Sequence, residues 1–257
     1  MRALALAMLL ALATVACAGA EAQQVDPGAE ARVTGDVTVF AAASLTDAFE
    51  RIARDLEAEH PQARVRFNFA GSQQLATQIV EGAPADVFAS ANDAQMQVVA
   101  GAGAAGAEPR IFAGNLLEIA VEPGNPRGVN GLADLGRADV SVVLAAEQVP
   151  AGHYARRVLD AAGVTVRPVS LEADVRAVLT KVSLGEADAG LVYASDVVAA
   201  GAAVEGVEIP PDHNVAVAYP AAVLQAAPNP DGAQAFVDLL SSPAGQRALR
   251  DAGFTVP

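Results

Sequence analysis

Tryptophan is missing from the 257-residue chain and aromatic residues make up only 4% of it. A groove that stacks sugars or single-stranded bases is therefore not expected. Positive charge is scarce as well: 16 Lys and Arg stand against 30 Asp and Glu, for a net charge of −14. No basic face is available for a phosphate backbone, which argues against nucleic acid as a partner. Cys17 is the single cysteine, so no intramolecular disulfide can form. His60, His153 and His213 show no metal-ligand spacing. There is no G-x-S-x-G, no H-E-x-x-H and no P-loop, so an enzyme, for example a hydrolase on an α/β scaffold, is disfavoured and no cofactor is expected. Beyond the leader no apolar run is long enough to span a membrane, which disfavours a sensor domain built into a membrane receptor.

What the chain does have is apolar substance. At 53% hydrophobic and 18% charged it can bury a large core in one or two domains. Residues 1–20, MRALALAMLLALATVACAGA, carry one Arg, an apolar centre and a small-residue end, the pattern of a secretory signal. Cys17 just after the apolar centre looks like a lipoprotein attachment cysteine, with cleavage before it; cleavage after Ala20 is the competing reading. Residues 21–35 are polar and aperiodic and read as a tether.

The organising stretch is VTVFAAASLTDAFERIARDLEAEHP, residues 37–61. Val37, Val39 and Phe40 give a strand that ends in Ala41, Ala42 and Ala43, too small to block a ligand. Ser44 opens a helix whose Leu45, Ala48, Phe49, Ile52, Ala53 and Leu56 form one apolar stripe. His60-Pro61 ends it, because the residue before proline is pushed out of the α region. The Ser44 hydroxyl thus sits beside helix-end N–H groups that lack partners and carry partial positive charge. Taken alone, a serine here simply caps its own helix. Asp47 is expected to support that cap from the first turn.

The same grammar repeats. RVRFNF (64–69) reads as a strand, Ala70-Gly71 as a turn, and Ser72 starts a helix with Leu75, Ile79 and Val80 inward. ADVFASA (85–91) is a third strand, followed by a short helix over 93–100. A new series begins with LLEIAV (116–121). Strands over 140–145, 164–170 and 189–193 then alternate with helices after Val149 and over 173–184, and a short helix follows the last strand. Apolar runs over 215–218 and 221–225 precede two closing helices, 231–241 and 243–252. Repeated strand–helix units imply doubly wound, mostly parallel sheets with ligands at the carboxyl ends of their strands. Two α/β halves, 36–116 plus 218–257 and 117–217, are expected to form two lobes around a cleft that closes by hinge motion.

FAAASLTDAF, FAGSQQLATQIVEGAPADVFASA, VPAGHYA, EADVRAVL and GLVYASD, in that order over residues 37–256, resemble the signature segments of the periplasmic molybdate-binding proteins of ABC importers. The resemblance implies the two-lobed periplasmic-binding-protein fold and a monomer that hands molybdate or tungstate to a membrane permease from the periplasmic or extracellular face. It also implies an oxyanion held by the hydroxyls of Ser44, Ser72 and Tyr193 and by the amides of Ala151 and Val175, with no cationic side chain. Gly71 and Gln73 depart from the family, where serines are common at both positions. A binding protein for sulfate or another tetrahedral oxyanion is the alternative.

Physical chemistry supports such a site without cations. Ser44, Ser72, Ala151 and Val175 all fall at expected helix starts. Five to seven charge-assisted hydrogen bonds at roughly 1.5 kcal/mol each give about 10 kcal/mol, where micromolar binding needs about 8. A lining of donors alone favours fully ionised tetrahedra over hydrogen phosphate, whose proton wants an acceptor. The plainer readings are a core tyrosine for Tyr193, packing for Val175 and a solvated helix position for His153.

Overall fold

The computed structural model describes residues 33–257; the leader, Cys17 and the tether up to residue 32 lie outside the described residues. The first lobe opens with two strand–helix units, β1 (Gly35–Ala42) with α1 (Thr46–Glu59) and β2 (Ala63–Ala70) with α2 (Ser72–Val80). A third unit follows, β3 (Val87–Ala89) with α3 (Asp93–Gly101), and then β4 (Arg110–Asn115). The second lobe is built from β5 (Leu117–Val121), β6 (Val142–Ala145) with α4 (Pro150–Ala161), β7 (Ser170–Glu172) with α5 (Val175–Ser183), β8 (Ala189–Tyr193) with α6 (Ala194–Ala200), and β9 (Glu205–Glu208). The chain then returns through β10 (Val217–Val223) to the first sheet and ends in α7 (Pro230–Ser241) and α8 (Pro243–Asp251).

The two sheets share a plan. Their strand orders are β2-β1-β3-β10-β4 and β7-β6-β8-β5-β9. In the first, β1 is parallel to β2 and β3 while β10 runs against β3 and β4. In the second, β6 is parallel to β7 and β8 while β5 runs against β8 and β9. Each sheet therefore contains one reversed strand, and each reverses its winding at a central pair, β1/β3 and β6/β8. Such switch points leave a crevice at the carboxyl ends of the strands.

Packing follows the residue pattern. Every member of the apolar stripe on α1 is buried, from Leu45 to Leu56. Burying the four large ones contributes on the order of 6–12 kcal/mol before entropy is subtracted. Phe49 of that stripe meets Phe236 of α7 edge-on at 5.3 Å and Phe112 of β4 at 5.7 Å, which ties the carboxyl-terminal helices to the first lobe. Two strand-to-strand passages join the lobes. Asn214 clamps one against the other, accepting from the Leu117 N–H at 3.1 Å and donating to the Leu117 carbonyl at 2.8 Å.

Several local expectations change. β4 and β9 form where no strand was expected, and β4 succeeds because β10 pairs with it. The run 164–170 is strand only from Ser170, since Pro168 has no N–H to give a ladder. Val80 is 47% exposed and Ala76 takes its inward place, one step back round the helix. Leu116 lies outside β5 and is exposed. The runs 215–218 and 221–225 merge into β10, with a register shift at Tyr219/Pro220.

Candidate functional site

Each sequence-selected residue sits where a strand ends and a helix begins. A three-residue 3-10 turn, Ala43–Leu45, follows β1 and carries Ser44; the α-helix proper starts only at Thr46, whose hydroxyl donates to the Ala43 carbonyl at 2.8 Å. Ser72 is the first residue of α2, Ala151 the second of α4, Val175 the first of α5, and Tyr193 the last of β8. Ser44, Ser72, Ala151, Val175 and Tyr193 line a single cavity between the lobes. The cavity is small, about 10 Å³, room for about one water-sized group and too tight for an organic molecule.

The walls are donors. The first-turn amides of Ser72, Ala151 and Val175 have no acceptor inside their helices and take part in none of the turn and loop hydrogen bonds. Gly152 makes room for the start of α4, because a Cβ there would lie 2.1 Å from the Ala146 carbonyl oxygen. Ser72 is 1% exposed, and its Oγ accepts from the Ala91 N–H at 3.0 Å. That bond fills a lone pair and leaves the Ser72 proton free for the cavity. Ser44 is 2% exposed and caps no helix; its Oγ instead meets the Tyr219 hydroxyl at 3.0 Å. The Tyr193 hydroxyl is buried with no hydrogen-bond partner among the described residues. Leaving it so costs about 1–3 kcal/mol. Burial also pushes its ionisation well above the ordinary phenol range, so it keeps its proton and remains a donor.

No Lys, Arg or His lines the cavity. Asp174, which the sequence reading did not select, contributes a carboxylate, but it is turned to its own helix and accepts from the Ala177 N–H at 2.9 Å. Arg176 stands behind the site. It bridges the lobes to Asp47 at 2.6 Å and approaches buried Asp196 at 2.8 Å, off the hydrogen-bond axis. Asp47 is thus an interlobe ion-pair partner rather than a helix cap, since α1 shows no side-chain cap. Gln73 adds a second bridge, donating to the Ala173 carbonyl at 3.1 Å. A larger groove of about 320 Å³ opens between α1, α6 and α8, but Arg51–Asp251 and Arg176–Asp47 pair off charges in its wall. His153 is exposed, and no cluster of metal-ligating side chains exists among the described residues.

Two α/β lobes with a small, donor-lined cavity at their facing strand ends define a solute-binding protein of the periplasmic type. The family model for bacterial extracellular solute-binding proteins matches residues 37–255, and the chain belongs to that family. It is 43% identical over 251 residues to the molybdate-binding protein ModA of Mycobacterium tuberculosis, covering 98% of this chain and 95% of the relative. Against the protein of that name from Escherichia coli it is 35% identical over 235 residues, 86% of this chain and 90% of the relative. Among solved structures, the periplasmic molybdate-binding protein of Azotobacter vinelandii superposes with a TM-score of 0.76 at 21% identity, over 86% of this chain and 99% of the other. The sulfate-binding protein SubI of M. tuberculosis gives 0.77 at 18% identity, over 85% and 86%. At those identities the structural likeness concerns the fold. No helix among the described residues is long and apolar enough to cross a membrane.

Proposed function

We propose that this protein captures molybdate or tungstate in the interlobe cavity, without catalysis, and delivers it to the membrane permease of an ABC importer. The carrying observation is the lining: hydroxyl and amide donors, one of them the orphaned Tyr193 hydroxyl, with the one carboxylate, Asp174, tied to its own helix and no cation within the cavity. A fully ionised tetrahedron offers four acceptors and no proton, which matches such a wall. The curated relatives named as molybdate-binding proteins support the choice of ion. In this reading Ser44, Ser72 and Tyr193 give hydroxyl protons to the oxyanion and Ala151 and Val175 give amide protons. Residues 36–116 with 218–257, and 117–217, act as the two jaws, and Cys17 carries a lipid anchor that holds the protein at the periplasmic or extracellular face of the membrane.

The test is calorimetric titration of the purified protein with molybdate, tungstate and sulfate, together with X-ray fluorescence analysis of any ion that co-purifies. Tight binding of molybdate with sulfate unable to displace it at equal concentration is the expected result. Displacement by equimolar sulfate would instead make this a sulfate carrier.

A further inference from the structure

The two cavity serines differ in what stands behind them. Behind Ser72 is a backbone N–H, that of Ala91, so the direction of the hydrogen bond is fixed and the Ser72 proton must point elsewhere. Behind Ser44 is another hydroxyl, that of Tyr219, at 3.0 Å, and either oxygen is able to give the single proton on that axis. The choice decides whether Ser44 presents a proton or a lone pair to the cavity.

Tyr219 settles the choice through its own needs. It is wholly buried, and Ser44 is the one hydrogen-bond partner of its hydroxyl among the described residues. Burial pushes its ionisation well above the ordinary phenol range, so the proton stays on. Its neighbour Asn115 gives one amide N–H to Ser195 Oγ at 2.8 Å and accepts from the Leu116 N–H at 3.0 Å, and the nearby Tyr193 hydroxyl, its ring 5.9 Å from that of Tyr219, makes no hydrogen bond among the described residues. Were Ser44 to donate, the Tyr219 proton would be buried without an acceptor. Were Tyr219 to donate, no proton is stranded, and the Ser44 hydroxyl is polarised as a better donor to whatever fills the cavity.

We propose that Tyr219 is a specificity-determining positioning residue: its hydroxyl donates to Ser44 Oγ and thereby commits the Ser44 proton to the bound ion. The inference rests on the oxyanion reading of the cavity and says how that cavity rejects a protonated guest. Hydrogen phosphate or hydrogen arsenate would bring an O–H to a wall on which both serines already point protons inward. Tyr219 does for Ser44 what the Ala91 amide does for Ser72.

The experiment is Tyr219→Phe, alone and combined with Ser44→Ala, titrated with molybdate and with arsenate near neutral pH. Phenylalanine keeps the ring contacts to Phe254 at 5.3 Å and Tyr193 at 5.9 Å. The expected result is a loss of molybdate affinity of about 3- to 10-fold, the size of one hydrogen bond, and a molybdate-to-arsenate preference narrowed by a similar factor. In the Ser44→Ala background the same change should alter molybdate affinity less than about twofold, because the two hydroxyls act as one unit. An unchanged preference, or additive losses, overturns the proposal while leaving the oxyanion reading intact if Ser44→Ala alone weakens molybdate. A wild-type protein that does not bind molybdate overturns both. Should Tyr219→Phe not fold, proton NMR of the wild type decides: a slowly exchanging hydroxyl proton with an Overhauser contact to the Tyr219 ring supports the proposal. Assignment of that proton to Ser44 refutes it.

Discussion

Replacing Ser72 with alanine separates two roles of one hydroxyl. The Ser72 Oγ is the acceptor for the buried Ala91 N–H at 3.0 Å. Ser72→Ala leaves that amide unsatisfied, which costs about 1–3 kcal/mol. For a chain of this size each kcal/mol moves the melting temperature by roughly 2–4 °C, so a drop of several degrees is expected without ligand. With molybdate bound, the variant also lacks one hydrogen bond to a charged acceptor, about 1.5–3 kcal/mol, or roughly 10- to 150-fold in Kd. The two losses are read separately, by thermal melting of the apo protein and by calorimetric titration of the folded variant well below its Tm. A variant that melts early yet binds molybdate as tightly as the wild type would falsify the idea that the Ser72 proton faces the ion. Its hydroxyl would then be merely structural.

Gly71→Ala tests lobe closure. The backbone at Gly71, φ −61° and ψ 134°, suits alanine, but the new Cβ would lie 2.6 Å from the Ala173 carbonyl of the opposite lobe. Overpacking of this kind costs about 1–3 kcal/mol, so molybdate affinity should fall by up to about 150-fold in a calorimetric titration; equal affinity would mean the lobes meet elsewhere. Asp196 gives a pH signature. Burial pushes its carboxyl up to about 6, against the pull of Arg176, from an ordinary value of 3.8. The native protein therefore takes up a proton as pH falls through about 6 that the unfolded chain takes up only near 3.8. This group's stabilising contribution is full below the lower value and is lost as pH rises through the upper one, a change of about 3 kcal/mol. Denaturant unfolding of wild type and Asp196→Asn from about pH 4 to 8 should show the wild-type advantage growing toward acid by that order; a flat difference between the two would refute the assignment.

How much was legible beforehand varies by element. The α1 stripe was readable because a 3.6-residue period over fourteen positions leaves little choice of face. The small-residue turns were readable because Ala41–Ala43, Ala70-Gly71 and Pro150-Ala151-Gly152 can approach other backbone where larger residues cannot. β4 was not readable, since its sequence RIFAGN gains strand geometry only from β10, a hundred residues further on. Asp47 looked like a cap because first-turn carboxylates often are; its partner, Arg176, lies 129 positions away.

The sequence by itself determined the local grammar: strand, small turn, helix start, and hence a supply of unpaired amides and hydroxyls at particular residues. Those properties depend on neighbours within a few positions, so periodicity and turn chemistry suffice to read them. Only the tertiary structure decided that five such residues share one cavity, that the Tyr193 hydroxyl is left without a partner there, and that Tyr219 stands behind Ser44. These depend on pairings across 100 to 200 positions, and hydrogen-bond direction, unlike helix phase, is set by whichever group the fold brings to the far side of the oxygen.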